Sequence, residues 1–410
     1  MDQTAFPSPE SKKGLQVQMV EDALELGIKH AALNVNLAQL LELRGTSNSF
    51  AENFRDAEFT FSQRYVEHLD RQVKPLSDRG VVVSLILLCY QNSDPALNEI
   101  LLHPRYDLAA PNKLGAFNAV TPKGQAALRA CVEFLASRYS RPRDPHGRVW
   151  NYIVGNEVNS HWFWSNMGRA SMTEFADDYL RAVRLVHTAV REHSANARVY
   201  ISLEHHWSIH YPGGDERQTF AARPFIEYFA RRARAEGDFD WHLAFHPYPE
   251  NLFDCRTWND KSATATAETA RITFKNLEVL TDYFSRDELR IKGKPRRIIL
   301  SEQGFHSPET PDGQLVQAAA YCYAYYKAAH LGGIDSFILH RHVDHGNEGG
   351  LNLGLWTRNK AAGNPAAPLA KKKIYEVFQS ADKPNWEEAF RFALPIIGIK
   401  DWREILPGRE

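Results

Sequence analysis

Residues 149–159 read VWNYIVGNEVN, an apolar run that breaks at Gly155 into an Asn-Glu pair. A short, nearly continuous hydrophobic run is the pattern of a strand buried on both faces, as a parallel sheet requires. Seven more runs of this kind punctuate the chain: 13–17 (KGLQV), 29–36 (KHAALNVN), 81–88 (VVVSLILL), 198–204 (RVYISLE), 241–247 (WHLAFHP), 296–302 (RRIILSE) and 334–340 (IDSFILH). Counted in order, 149–156 is the fourth. Between them, apolar residues recur at helical spacing. Val66, Leu69, Val73 and Leu76 form one such face before Gly80; Leu128, Cys131, Leu135 and Tyr139 form another behind Thr121-Pro122, an N-cap and first-turn proline. Further helical faces carry Phe175 to Val190 behind a Thr173 cap, Phe225 with Phe229, Leu277 to Phe284, Cys322 to Ala329, and Ile374 with Phe378. Eight strand-helix alternations predict a (β/α)8 TIM barrel of α/β class.

Composition narrows the function classes. With 43% hydrophobic and 24% charged residues the chain can build a large core. A formal charge of -1 offers no basic footprint for nucleic acid or an anionic membrane. The four cysteines are far apart, without a CxxC pair, and read as reduced, buried thiols. No repeat or Gly/Ser linker divides the chain, so one domain over 1–410 is expected, with 1–12 as a flexible lead-in. The opening MDQTAFPSPESKKG lacks the apolar run of a secretion signal. A cytoplasmic location is the expectation as the chain stands, and a secreted one if a leader has been removed. The oligomeric state is not legible.

In a (β/α)8 barrel the loops after the strand C-termini build the active site. The long polar stretches near 40–60, 90–121, 205–220, 249–267 and 341–366 all fall there. Asn-Glu occurs three times, at 98–99, 156–157 and 347–348, and only Asn156-Glu157 ends an apolar strand. Glu302 ends the seventh strand in RRIILSEQGF. Two carboxylates on strands four and seven suit a double displacement, in which one attacks the anomeric carbon while the other protonates the leaving oxygen and then activates water.

These two strings resemble glycoside hydrolase clan A, the retaining barrel glycosidases. The resemblance implies that Glu157 is the acid/base, Glu302 the nucleophile, and Asn156 the group that hydrogen-bonds the sugar 2-hydroxyl. GNEVNSHWFW, SLEHHW, AFHPYPENLFDCRTWND and GGLNLGLW are more closely similar to a bacterial family of barrel domains of unknown function. Two features of the clan are missing. AALNVN offers Asn34 and Asn36 where many members carry an Arg that braces the nucleophile, and LLCYQN lacks the His that often closes strand three. Arg341, just after strand eight, is the candidate replacement brace.

Other rim residues are candidates for a sugar site. His246 and Tyr248 end strand six on one face, where the clan places a His or aromatic against the catalytic pair. Strand five ends in Glu204, His205, His206 and Trp207; Glu204 is the rival carboxylate, or else a sugar ligand or a like charge acting on Glu157. His340, Arg341, His342, Asp344 and His345 crowd the end of strand eight. Trp162, Trp164, Trp207 and Trp356 fall in rim loops, where an indole can stack on a pyranose. The leading expectation is a cofactor-free, metal-free retaining β-glycoside hydrolase with a carbohydrate substrate. A carbohydrate-binding protein on a decayed glycosidase barrel stays open. So does a metal-dependent hydrolase using the His-rich rim, although no HxH follows strand one and no HExxH occurs.

Overall fold

The structure, a computed structural model, describes residues 1–45, 47–54, 57–141 and 143–408, which include every candidate site residue named above. Eight strands close into one parallel barrel in chain order: β1 (Lys13–Gln16), β2 (His30–Asn36), β3 (Val82–Leu88), β4 (Asn151–Val154), β5 (Arg198–Glu204), β6 (Trp241–His246), β7 (Ile298–Gln303) and β8 (Ile334–Leu339). Each is followed by a helix: α1 (Val20–Glu25), α2 (Gln63–Asp78), α3 (Pro122–Arg138), α4 (Met172–His193), α5 (Ala222–Ala235), α6 (Glu278–Phe284), α7 (Gly313–His330) and α8 (Lys373–Ser380). The fold is the expected (β/α)8 TIM barrel.

β1 is short and polar for physical reasons. It pairs in parallel with β8 (Lys13↔Phe337, Gly14↔Ile338) and with β2 (Gly14↔His30, Leu15↔Ala31). A Cβ on Gly14 would lie 2.9 Å from both His30 Cβ and Ile338 Cγ1, so glycine lets the neighbours close over it. The lysines before it cap helix ends. Lys12 Nζ donates to the carbonyls of Ala328 and Leu331, and Lys13 Nζ to those of Phe378 and Ala381, satisfying acceptors that α7 and α8 leave open.

The residues gather into two compact units. One comprises Met1–Ser8, Leu33–Ala244 and Ile291–Arg296; the other Pro9–Ala32, Phe245–Arg290 and Arg297–Glu410. The first is packed around a run of rings on α4, α5 and β6: Phe175, Tyr179, Phe225, Phe229 and Trp241, each touching the next. The Tyr179 hydroxyl donates to the Val154 carbonyl at 2.6 Å, which ties this core to the strand that precedes Glu157. In the second unit Tyr321 and Tyr325 of α7 pack on Phe337 of β8. All four cysteines are free and buried. No described helix is long and apolar enough to cross a membrane.

Three local expectations are corrected. The cap of α4 is Ser171, not Thr173: Ser171 Oγ accepts from the Glu174 N–H while Glu174 Oε2 accepts from the Ser171 N–H, a reciprocal box whose Ser-x-x-Glu spacing outcompetes the threonine. The polar stretch near 40–60 contains a small antiparallel sheet, in which Ser49–Phe54 pairs with Ala57–Ser62 and the latter with Leu41–Glu42. Its anchor is Phe61, stacked on Phe134 of α3 at 4.2 Å. Residues 1–12 are not a loose lead-in, because Asp2 pairs with Arg148 at 2.6 Å and Phe6 packs on Trp150 under the Arg198 guanidinium.

Because β1 is flanked on both sides at Gly14, Gly14→Ala should destabilise the protein by about 1–3 kcal/mol. Urea denaturation followed by tryptophan fluorescence measures this as a lower midpoint at unchanged slope.

Candidate active site

β4 ends at Val154, two residues earlier than its sequence pattern implies, and the chain turns sharply at Gly155 (φ 76°). Glu157 itself has φ 40° and ψ 50°, a left-handed conformation that costs a non-glycine residue energy and is typical of positions held for function. Its N–H donates to Ser202 Oγ of β5 at 3.0 Å, and its carbonyl accepts from the Ser160 N–H at 2.8 Å. Asn156 and Glu157 are both half-buried. The Asn156 carboxamide has no hydrogen-bond partner among the described residues, so it is free to meet a ligand.

Glu204 behaves differently from the expected rival carboxylate. Its Oε2 accepts from the His206 N–H and from His206 Nδ1 (2.9 and 2.6 Å); its Oε1 accepts from Asn159 Nδ2 and Ser160 Oγ (2.7 and 3.1 Å). Burial alone would raise its pKa, but the charge and hydrogen bond of His206 outweigh that and hold it down to about 2. With both oxygens engaged, Glu204 is a clamp on residues 159–160 just after Glu157 rather than a sugar ligand. His205, also buried, stacks against His206, and nitrogen and carboxylate ligand atoms of Glu204, His205 and His206 lie within 4.8 Å of one another. The 2.6 Å contact is a hydrogen bond, whereas two ligands of one zinc ion would stand roughly 3 Å or more apart. Trp207 is fully buried and serves the core, not a subsite wall, which corrects its expected role.

Glu302 occupies the second-last position of β7 and is half-buried. The Tyr248 hydroxyl donates to its Oε1 at 3.0 Å and Gln16 Nε2, at the end of β1, to its Oε2 at 3.4 Å. His246 is buried, bonds Ser301 Oγ at 3.0 Å, and has a ring nitrogen within 4.8 Å of a Glu302 carboxylate oxygen. The structure therefore brings His246 and Tyr248 to Glu302, but not Arg341. The Arg341 guanidinium binds both oxygens of Glu348, at 3.0 and 2.9 Å. The expected brace is corrected: Glu302 is held by Tyr248 and by Gln16, which sequence reading missed because it closes the most polar strand.

His342 departs from its expected sugar-binding role, and Trp356 shares its acidic partner. His342 is 1% exposed; its Nδ1 accepts from the backbone N–H groups of Gln18 and Met19, and its Nε2 donates to Asp22 Oδ2 at 2.8 Å. Trp356 Nε1 and the Tyr375 hydroxyl donate to the same carboxylate, at 3.0 and 2.9 Å. Asp22 of α1 thus gathers a histidine, an indole and a phenol into a structural knot. Trp162 and Trp164 remain half-buried in the short helix His161–Trp164 that follows Glu157. Asn34 is exposed and lines an open cavity of ≈ 1210 Å³ with Gln39, Tyr65 and Asn92.

A (β/α)8 barrel with one glutamate ending β7 and another just past β4 is the class that fold and rim define. Residues 5–405 match the model of a family of unknown function, DUF5722, and the chain belongs to that family. No curated protein matches it in sequence. Among solved structures it is similar to the β-glucosidase of the hyperthermophile Pyrococcus furiosus, at 14% identity and TM-score 0.58, covering 92% of this chain and 86% of the other. It is also similar to a family 1 β-glucosidase of Thermotoga maritima (12%, 0.53, 88% and 84%). A family 39 glycoside hydrolase from the gut symbiont Bacteroides cellulosilyticus WH2 aligns at 12% identity and TM-score 0.55 over 92% of this chain, which spans only 64% of that enzyme. At such identities the likeness establishes the fold.

The Glu204 clamp makes a prediction about acid. A carboxyl held near 2 in the folded state, against its ordinary 4.5, contributes stability that is present above about pH 4.5 and is lost as pH falls toward about 2. Glu204→Gln should remove a contribution on the order of 3 kcal/mol at neutral pH and flatten this part of the acid limb. Thermal melts between pH 7 and pH 2.5, wild type against variant, read the difference.

Proposed function

We propose that the protein is a retaining β-glycoside hydrolase in which Glu302 is the nucleophile and Glu157 the acid/base. The observation that carries the reading is the pair of separate donors on Glu302, Tyr248 Oη on one oxygen and Gln16 Nε2 on the other. A carboxylate so held is aimed, and its charge is stabilised without being neutralised. Asn156, unpartnered beside Glu157, is suited to the sugar 2-hydroxyl, and the half-buried indoles of Trp162 and Trp164 to a pyranose face.

In the first step a Glu302 oxygen attacks the anomeric carbon as the bond to the leaving oxygen breaks and Glu157 gives that oxygen its proton. In the second, Glu157 takes a proton from water, whose oxygen displaces Glu302 from the same carbon. The mechanism needs the two carboxyl groups about 5 Å apart. No step calls on a metal or an organic cofactor.

Glu302→Ala should abolish turnover of aryl β-glycosides while binding of the sugar survives, and an activated fluoro-glycoside should label Glu302, located by mass spectrometry of peptides. A label on another carboxylate refutes the assignment, and sugar binding with no turnover favours the non-catalytic barrel. Glu157→Ala should slow substrates with poor leaving groups by about 100-fold or more and spare dinitrophenyl glycosides, with azide restoring the lost deglycosylation rate. Equal damage to good and poor leaving groups, or loss of activity to a chelator with recovery on adding zinc, would point to the metal-dependent alternative.

A further inference from the structure

The polar stretch after β2 builds a cavity that the two-glutamate reading leaves unused. Its walls are the short helix Leu37–Leu40, the strand Leu41–Glu42 and the first turns of α2, and its volume is ≈ 1210 Å³. The walls are fixed by their own bonds. The Tyr65 hydroxyl accepts from the Asn36 N–H at 2.8 Å, Asn92 Nδ2 donates to the Ala38 carbonyl at 3.0 Å, and Thr60 Oγ1 donates to the Glu42 carbonyl at 2.7 Å. Pockets for single drug-sized ligands measure roughly 300–1,000 Å³, so this one has room for several sugar rings in a row.

Its charge is arranged unusually. Arg64, His68 and Arg71 stand at i, i+4 and i+7 of α2, an exposed stripe on the side away from the buried Val66, Leu69, Val73 and Leu76. All three line the cavity, as does Arg44 just past Leu41–Glu42. The side chains of Arg44, Arg64 and Arg71 have no carboxylate or hydrogen-bond partner among the described residues. Two carboxylates line the same cavity, and both are occupied: Glu42 accepts from Ser49 Oγ, and Asp94 caps the helix Pro95–Leu101 through the Ala96 N–H at 2.9 Å. Elsewhere on α2 charges are matched, Lys74 with Asp78 and Asp70 with Arg138. Arginines left unmatched in a concavity present planar forks of N–H donors, the geometry that receives a carboxylate or sulfate group.

The cavity continues to the barrel rim. Asn34, Gln39, Tyr65 and Asn92 also line a second space of ≈ 480 Å³, which runs past Asn36 to Leu88 and Tyr90 at the end of β3. Asn36 Oδ1 accepts from the Tyr90 N–H at 3.3 Å, and β3 pairs with β4, the strand that Glu157 follows, through Leu87↔Val154. Along this path the exposed carboxamides of Asn34 and Gln39 offer donors and acceptors for hydroxyls, and the Tyr90 ring, 36% exposed, offers a face for a pyranose. We propose that this cleft holds several units of an anionic polysaccharide, whose carboxylate or sulfate groups meet Arg44, Arg64 and Arg71, and that such chains are the substrate class of the enzyme. The inference rests on the reading of Glu157 and Glu302 as a hydrolytic pair, to which the cleft adds selection by charge.

The test separates binding from turnover. Fluorescent hexamers of galacturonate, of mannuronate and of chondroitin sulfate are titrated into the full chain carrying Glu302→Ala, beside cellohexaose, xylohexaose and mannohexaose, and polarisation is read. The anionic hexamers should bind about 10-fold or more tightly than the neutral ones and weaken as salt is raised. A preference for the uronate or for the sulfated chains names the anion. Arg64→Gln and Arg71→Gln should each weaken anionic binding about 3- to 10-fold, and the triple variant with Arg44→Gln about 30-fold or more, with the melting temperature showing that the chain still folds. Anionic hexamers that bind no more tightly than neutral ones, binding that ignores all three substitutions, or equal binding of polyglutamate of the same charge overturns the inference. Release of reducing ends by protein that keeps Glu302 then tests the reading beneath it. Cleavage of anionic chains in preference to neutral ones supports both; cleavage of neutral chains alone overturns the charge selection and leaves the two glutamates standing. Arginine-dependent binding of anionic chains with no turnover of any hexamer or aryl glycoside overturns the hydrolase reading, and with it the assignment of these chains as substrate.

Discussion

The parallel pairing of β1 with β8 on one edge and β2 on the other is what the rest of the molecule depends on. Without it the sheet is open and the rim that carries the glutamates does not exist. The pairing is made by a four-residue strand with few apolar side chains to contribute, so its stability comes from elsewhere: a glycine that removes bulk between two neighbours, and two lysines that bind helix-terminal carbonyls. Burial depresses both lysines to about 8, a cost accepted because the carbonyls they reach would otherwise be buried unpaired. The same strand ends in Gln16. Closing the barrel and contacting Glu302 are therefore one structural event.

Four carboxylates show how environment sorts identical side chains into different work. Glu204 meets donors from His206, Asn159 and Ser160 on both oxygens and is locked into the wall. Glu348 is locked in the same way by His340 and Arg341. Glu302 meets one donor per oxygen, enough to fix its orientation while leaving lone pairs to spare. At Glu157 the backbone is held, its N–H bonded to Ser202 of the neighbouring strand, in a strained left-handed turn.

Most of the barrel was legible because its signal is redundant. Eight buried strands announce themselves as apolar runs, and an error of a residue or two at each end, as at Val154, does not change their order. The same runs singled out Glu157 and Glu302 as residues at or just past a strand end. Side-chain partners were less legible. Trp207, His342 and Trp356 carry the right chemistry for a sugar site and sit in the right loops, yet one fills the core and two bind Asp22, a contact spanning more than 300 positions in the chain. Glu348 belongs to an Asn-Glu pair with no strand before it, so its role follows only from the fold of the loop after β8.

The absence of an arginine at the end of β2 is the place where sequence and structure inform each other most. A half-buried carboxylate on a barrel rim keeps its charge more readily with positive charge or donors nearby. Arg341 is adjacent in sequence to the right position and was the obvious substitute, but its guanidinium is committed to Glu348. The effect of that ion pair is indirect. Arg341 holds Glu348, Glu348 faces His340, and His340 contacts Gln16, whose amide donates to Glu302. Where a single arginine would reach the carboxylate directly, Gln16, His340 and Glu348 are here linked to it in series.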